Sequence, residues 1–372
     1  MKNKIYNIII VGLFCGFVLS LLVASFLISD RSFSERENRY LQTLPDFSFQ
    51  RLFAGKFTSE FEDYCADQFP FRDQWITLNA RYEQLSGKKQ TNGVYLCGER
   101  LITPFKAPSD AELKRRFTAV KLLRESCNIP VQFALIPNAA ELYGEMLPFG
   151  APNDSQAAVI ENAADFGLSP APLLPILNEH KDEEIFYRTD HHWTTLGAYY
   201  AYAALCETMG LEAQPLECFR VNTVSTNFYG TAYSSSGYTW VRPDHIESFV
   251  DEDAALSVIS YRSGLPVEGG LYRRENLTQK DQYTYFLGGN TPEVVLTGKH
   301  SQLPKLVMIR DSYSDSLVPF LLEHFSEIRM LDLRYYLGSV KQYAEEHQAD
   351  QILVIYSVEN FCKENSVAAM AG

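Results

Sequence analysis

The sequence predicts an α/β fold with a parallel central sheet and its reactive groups at the ends of strands. Short apolar runs of strand length (131–136, 305–309, 328–333 and 351–356) alternate with stretches of helical period. The runs are apolar throughout, as expected of strands buried on both faces. Two polar segments, Asp190-His191-His192-Trp193 and Arg310-Asp311-Ser312-Tyr313-Ser314-Asp315, follow apolar lead-ins and open helical patterns. Such junctions are where α/β proteins hold ligands and catalytic groups.

Taken in order, Lys2 and Lys4 precede an uncharged, mostly apolar stretch from Ile8 to Ile28, long enough to cross a bilayer. The basic head places residues 1–7 in the cytoplasm, 8–28 in the membrane and the rest outside the cell membrane. A cleaved signal peptide is the rival reading, with Val23-Ala24-Ser25 as its small-residue site; the length of the run favours an uncleaved anchor. Gly12-Leu13-Phe14-Cys15 lacks the small residues of a lipoprotein signal. Residues 29–53, with Pro45, read as a polar stalk, and 54–372 as the extracytoplasmic domain.

Helical spacing begins at Phe57 and continues through Phe61, Tyr64, Trp75 and Leu78. Asn92-Gly93 marks a tight turn, and Val94–Leu96 with Leu101-Ile102 predicts a hairpin about Gly98. Ser109–Cys127 predicts a helix with Leu113, Phe117, Val120, Leu122 and Leu123 inward and its basic residues outward. Residues 156–166 and 173–180 read as helices, and Glu184–Tyr187 as a strand-like lead-in to a helix from Thr194. Residues 211–300 are rich in Ser, Thr, Gly and Tyr and predict a β-rich insertion forming one wall of the site. Its strand candidates are 256–261, 270–272, 283–286 and 294–296. Beyond it the pattern predicts helices over 314–324 and 340–347.

Composition narrows the function classes. The net charge of −13, without a long basic cluster, argues against nucleic acid as a partner. It also tilts a glycan ligand towards a neutral one. Of seven cysteines, Cys15 lies in the apolar run and six lie outside it, where disulfides are permitted. No Cys-x-x-Cys pair points to structural zinc.

A serine at the start of a helix after a strand has an accessible hydroxyl and nearby backbone N–H groups for a developing oxyanion. It needs a base, usually a histidine oriented by a carboxylate. Asp190 and His192, two apart in an extended segment, point to one side and can supply that pair. The bland readings are a capping pattern for Ser312-x-x-Asp315 and a helix cap for Asp190 or Thr194. Capping leaves the paired imidazoles and Trp193 without a role.

The string Tyr187-Arg188-Thr189-Asp190-His191-His192-Trp193-Thr194, with Asp311-Ser312-Tyr313-Ser314 after a late strand, resembles the DHHW protein family. That family is related to the SGNH-hydrolase-like proteins of alginate O-acetylation. The likeness extends to segments 63–72, 92–94, 228–231 and 285–290. It implies an SGNH-hydrolase-like three-layer sandwich with a parallel sheet. It also implies Ser312 as nucleophile, His192 as base and Asp190 as orienter, with His191, Trp193, Asp311 and Tyr313 in support and no cofactor or metal. Related motifs read Gly-Asp-Ser, whereas Arg310 stands here; its guanidinium either narrows the turn or faces the acyl oxygen. Asn290, after two glycines, is weighed as a second oxyanion donor and as an ordinary turn residue.

The leading function is therefore a membrane-anchored O-acyltransferase, O-acetyl in kind, acting on a cell-surface polysaccharide. Its acyl donor would be delivered by a multi-pass membrane acyltransferase. The alternatives are a carbohydrate acetylesterase with the same triad and a non-catalytic glycan-binding scaffold. Asp-His-His also resembles the metal site of DHH phosphoesterases, but the strand ending Ile136-Pro137-Asn138 lacks the further aspartates such sites need.

Overall fold

The computed structural model describes residues 2–370 apart from Glu35 and Asn38, two stalk positions that lie outside the described residues with Met1 and the last two of the expected external domain. The chain divides into two compact units, residues 1–88 with 237–239, and residues 89–236 with 240–372.

The first unit begins with helix α1, Lys2–Leu27. Its 24 residues from Lys4 to Leu27 are long and apolar enough to cross a membrane. Helices α2 (Lys56–Asp67) and α3 (Arg72–Leu85) follow. The stretch expected as a stalk is held to them by ion pairs. Arg39 reaches Asp67 at 2.5 Å and Arg31 reaches Asp73 at 2.9 Å, while Arg72 pairs with Glu37.

The second unit is built on a seven-stranded sheet. In chain order its strands are β1 (Val131–Ile136), β2 (Ala255–Arg262), β3 (Leu265–Gly269), β4 (Glu293–Gly298), β5 (Lys305–Arg310), β6 (Glu327–Leu331) and β7 (Gln351–Ser357). The spatial order is β3-β2-β4-β6-β5-β7-β1. Strands β6, β5, β7 and β1 run parallel, whereas β4, β2 and β3 pair antiparallel. The expected all-parallel sheet is thus corrected to a mixed one. The insertion extends the sheet: a two-residue turn joins β2 to β3 antiparallel, and β4 pairs antiparallel with both β2 and β6.

Alternating side chains of the parallel strands serve two cores. Phe133, Leu135, Val307, Ile309, Ile352 and Val354 pack with helices α4 (Asp110–Ser126), α7 (Val340–Glu346) and α8 (Val358–Lys363). Ala134, Ile136, Leu306, Met308, Leu353 and Ile355 pack with α5 (Thr195–Met209) and α6 (Ser314–Leu321). Helices therefore cover both faces, which is why these strands read as continuous apolar runs. Because β1, β5 and β7 are parallel, Asn138 and Ser312, which follow strand ends, and Ser357, which ends β7, lie at one edge of the sheet.

Several local expectations change. In α4 the Ser109–Glu112 capping box sets the start, but Leu122 is exposed and Arg116 is buried, donating to the Glu112 carbonyl. Residues 283–286 belong largely to a 3-10 turn, and Tyr272 makes only an isolated bridge to Phe286. The pairing of Asn222–Phe228 with Asp244–Ser248 was not expected. Asn222–Phe228 is polar and only its last residue is buried, so its sequence carries little alternation.

Candidate active site

Asp190, His191 and His192 sit on a tight turn rather than after a strand. Phe186 bridges Trp193 across it, with Tyr187 N–H donating to the His192 carbonyl at 3.2 Å and Thr194 N–H to the Ile185 carbonyl at 2.9 Å. Thr194 is the N-cap of α5, accepting from Gly197 N–H. Asp244 clamps the turn's entry: one carboxylate oxygen accepts from Arg188 and the other from the Thr189 amide and hydroxyl at 2.8 and 2.6 Å. Trp193, fully buried, donates Nε1–H to the Tyr313 carbonyl and Ser316 Oγ, each at 3.0 Å. The indole thereby bolts the histidine turn to the start of α6.

Ser312 lies on the two-residue connection between β5 and the Tyr313 N-cap of α6, and its hydroxyl does not cap the helix. Its Oγ lies 2.8 Å from His192 Nε2, and His192 Nδ1 lies 2.6 Å from Asp190 Oδ1. Asp190 Oδ2 in turn accepts from the Thr231 amide at 2.7 Å and the Thr231 hydroxyl at 3.0 Å. Asp190 and His192 are buried, and Ser312 is partly open. A Cβ on residue 230 would overlap the Asp190 carboxylate, so Gly230 is what lets this loop close on it.

Tyr283 stacks on the His192 ring, centroids 3.7 Å apart and planes within 8°, and donates its hydroxyl to the Ser312 carbonyl at 3.2 Å. His191 lies against the same imidazole at 3.8 Å; its Nδ1 is 2.6 Å from Thr231 Oγ1. Tyr313 donates its hydroxyl to the His191 carbonyl.

Asp311 anchors the serine turn. Its Oδ2 accepts from Ser357 N–H, Ser357 Oγ and Asn360 Nδ2 at 2.8, 2.7 and 2.9 Å, while Oδ1 accepts from Tyr313 N–H at 3.1 Å. Arg310 is wholly buried and pairs with Asp315 Oδ1 at 3.1 Å without a well-aligned hydrogen bond. Neither sequence reading of Arg310 describes this: the guanidinium ties the end of β5 to the first turn of α6 from beneath. Asn290 is exposed and makes no hydrogen bond to Ser312 or His192 among the described residues; the left-handed backbone falls on Leu287, Gly288 and Gly289.

Burial would raise the Asp190 carboxyl, but the two imidazoles, the His192 hydrogen bond and the Thr231 amide outweigh it. They hold the carboxyl far below the usual carboxylate range. Burial and the neighbouring His191 lower His192 to about 4, against the pull of Asp190. At neutral pH the arrangement is therefore a carboxylate, a neutral imidazole and a hydroxyl in line, with Nε2 free to take the serine proton.

Metal ligation by the same residues is geometrically crowded. Ligand atoms of Asp190, His191 and His192 lie within 4.8 Å of one another. Nδ1 of His192 is already turned to Asp190 and Nε2 to Ser312. An ion would have to break that line to gain His192 as a ligand.

Beside the turn opens a cleft of about 310 Å³ lined by Thr103, His191, Thr231, Tyr313, Glu359 and Asn360 among others. Sequence reasoning missed Thr231, Tyr283, Asp244, Ser357 and Glu359 as site residues. The string Phe228-Tyr229-Gly230-Thr231 held the one usable signal, a glycine before a hydroxyl residue.

The family model described as DHHW protein matches residues 171–331. A DHHW family protein of Eubacterium siraeum superposes with a TM-score of 0.63 at 23% identity, over 75% of this chain and 95% of that one. PatB1 of Bacillus cereus superposes with a TM-score of 0.61 at 17% identity, over 73% and 96%. The probable alginate O-acetylase AlgJ of Azotobacter vinelandii is 25% identical over 220 residues, 56% of this chain and 54% of that protein. Its namesake in Pseudomonas aeruginosa is 27% identical over 173 residues, 42% and 44%. The chain thus spans about half the length of the curated relatives it matches. The match over residues 171–331 and the superposed fold agree with the resemblance to the DHHW protein family read from the sequence.

Proposed function

We propose that the chain is an O-acyltransferase, acetyl in kind, that acts outside the cell membrane on a surface polysaccharide from an N-terminal anchor. We also read its fold as SGNH-hydrolase-like, with the serine last in chain order. The observation that carries the activity is the unbroken line Ser312 Oγ, His192 Nε2, His192 Nδ1, Asp190 Oδ1 at 2.8 and 2.6 Å. Support for acetyl comes from the AlgJ proteins, whose name is probable alginate O-acetylase.

In this reading His192 takes the Ser312 proton as Oγ attacks the donor's acyl carbonyl. The Ser312 amide, which donates to no partner among the described residues, faces the developing oxyanion at the start of α6. His192 returns the proton to the leaving group, giving an acyl-serine. An acceptor sugar hydroxyl then gives its proton to His192 and attacks that ester, restoring Ser312. Asp190 stays ionised and holds the imidazole in one tautomer and orientation. The donor would be handed over by a multi-pass membrane acyltransferase.

The test uses the full chain in detergent or nanodiscs with an acetyl-ester donor and neutral oligosaccharide acceptors. Transfer should appear as O-acetylated glycan by mass spectrometry, and Ser312→Ala should lower it by at least about 10³-fold. Release of free acetate alone would make water the acceptor and the protein an esterase. Activity that survives Ser312→Ala, or vanishes with a chelator, would sink the serine mechanism.

A further inference from the structure

The cleft of about 310 Å³ beside the histidine turn is walled by the neighbours of the triad. His191 lies against the His192 ring at 3.8 Å, and Tyr313 follows Ser312 in the chain. A second wall comes from the start of α8, where Glu359 and Asn360 line the cleft. The proposed mechanism has no task for Glu359. Its side chain is 25% exposed; Oε2 accepts from Asn138 Nδ2 at 3.1 Å, and Oε1 pairs with Lys363, which does not line the cleft. A carboxylate has about four lone-pair sites, so both oxygens keep capacity for a ligand.

The polar atoms left over on these walls are acceptors. Thr231 donates its hydroxyl to Asp190 Oδ2, so its Oγ1 accepts from His191 Nδ1 at 2.6 Å. In the neutral ring Nε2 is then an acceptor, without a protein partner among the described residues. Asn360 commits Nδ2 to Asp311 at 2.9 Å and leaves its Oδ1. Glu359 adds a negative charge, and no lysine or arginine lines the cleft among the described residues. Such walls suit a ligand that donates. Sugar hydroxyls and acetamido N–H groups do so, whereas a uronate carboxylate only accepts. It would also meet Glu359 as a like charge in a concave site, where the field of one sign is focused. We infer that this cleft is the acceptor subsite next to the reacting hydroxyl, and that Glu359 admits neutral, hydroxyl-rich sugars and turns away acidic ones. The inference rests on the reading of the chain as a glycan O-acyltransferase and specifies its acceptor. Selectivity of this kind comes from a repulsive element as much as from an attractive one.

The full chain in nanodiscs, carrying Ser312→Ala so that no turnover occurs, tests this by calorimetric titration. The probes are cello-, manno- and chito-oligosaccharides, each paired with the same oligomer oxidised to the carboxylate at C6. At least one neutral probe should bind, and its oxidised partner should bind at least about ten-fold more weakly. The weak binding of the oxidised partner should improve as salt screens the repulsion. Adding Glu359→Gln, which keeps the shape and a group for Asn138, should narrow the preference, and Glu359→Lys should reverse it. Melting curves show whether each variant is folded; if Glu359→Lys is not, Glu359→Gln and the salt dependence still decide. Equal binding of neutral and oxidised probes, a preference that Glu359 variants leave unmoved, or no binding of any neutral probe would overturn the inference. Selective binding of neutral probes by Ser312→Ala, with no transfer by the unsubstituted chain, would sink the transferase reading and leave the subsite standing.

Discussion

At the residue scale the site is a contest for one carboxylate. Asp190 serves His192 through Oδ1 and Thr231 through Oδ2, and Thr231 also meets His191. Thr231→Val keeps the shape and the amide bond but removes the hydroxyl. We expect kcat to fall by about ten-fold with KM little changed, since a hydrogen bond to a charged group is worth ~1.5–3 kcal/mol. Steady-state kinetics on an acetyl ester checks this. The pH dependence follows from His192. A base lowered to about 4 is already neutral at pH 6, so kcat/KM should fall on the acid side near pH 4 and not near 6.5. Stability has a matching sign. Between about 4 and 6.5 the unfolded imidazole binds a proton that the folded one refuses, so acidification through that window destabilises the protein, by up to about 3 kcal/mol from this group. Asp190, whose folded pKa is depressed, adds a further loss as pH drops below the ordinary carboxylate range. Denaturant midpoints at pH 4.5 and 7 measure the first effect, and His192→Gln should abolish its share. Asp190, His192 and Ser312 were legible because an acid, two imidazoles and a helix-opening serine concentrate polar chemistry in two short strings beside apolar runs. Tyr283 was not, because a tyrosine among 22 tyrosines gives no sign of which ring will stack on an imidazole.

At the scale of elements the β5–α6 junction shows what a sequence can and cannot say. The strand and helix follow from apolar pattern, yet Arg310 at their junction reads as a residue that narrows the turn or faces the acyl oxygen. It is instead fully buried, with Asp315 2% exposed as its partner. Burial pushes the Asp315 carboxyl up to about 7 even beside the guanidinium. Removing one partner strands the other, so Arg310→Met or Asp315→Leu alone should cost about 3–5 kcal/mol. The double variant should recover most of that loss, because two apolar groups fill the same space without a desolvated charge. Chemical denaturation of all four forms decides it. Additive losses would show that the two side chains do not act as a pair. The edge strand β3 was hidden for a different reason. Strand β3 is exposed at Leu265, Pro266, Val267 and Glu268, so its residues show no inward alternation, and pairing with β2 is set by the Ser263-Gly264 turn, both of positive φ. This short edge strand thus joined the sheet through its turn rather than its hydrophobic pattern.

At the scale of the molecule, orientation across the membrane and the state of the cysteines can be read in one experiment. In the proposed topology everything after residue 28 lies outside, where disulfides are permitted. No disulfide joins any of the seven cysteines in the structure. Cys65 and Cys218 are exposed, Cys127 is half-buried, and Cys97, Cys206 and Cys362 are buried. Burial raises the thiols of Cys206 and Cys362, to about 11 and about 12, which further suppresses the reactive thiolate. A membrane-impermeant maleimide applied to intact cells should therefore label Cys65 and Cys218 quickly and Cys127 more slowly. The three buried thiols should react only after denaturation. Cys65→Ser with Cys218→Ser should remove most of the fast signal, which assigns it. Labelling that appears only after lysis would place the unit that carries Ser312 on the wrong side for a surface glycan, whatever the geometry of Ser312. Fast labelling at the exposed pair with no shift in non-reducing mobility would fix both the outward orientation and a fold that stands on its two cores without covalent staples.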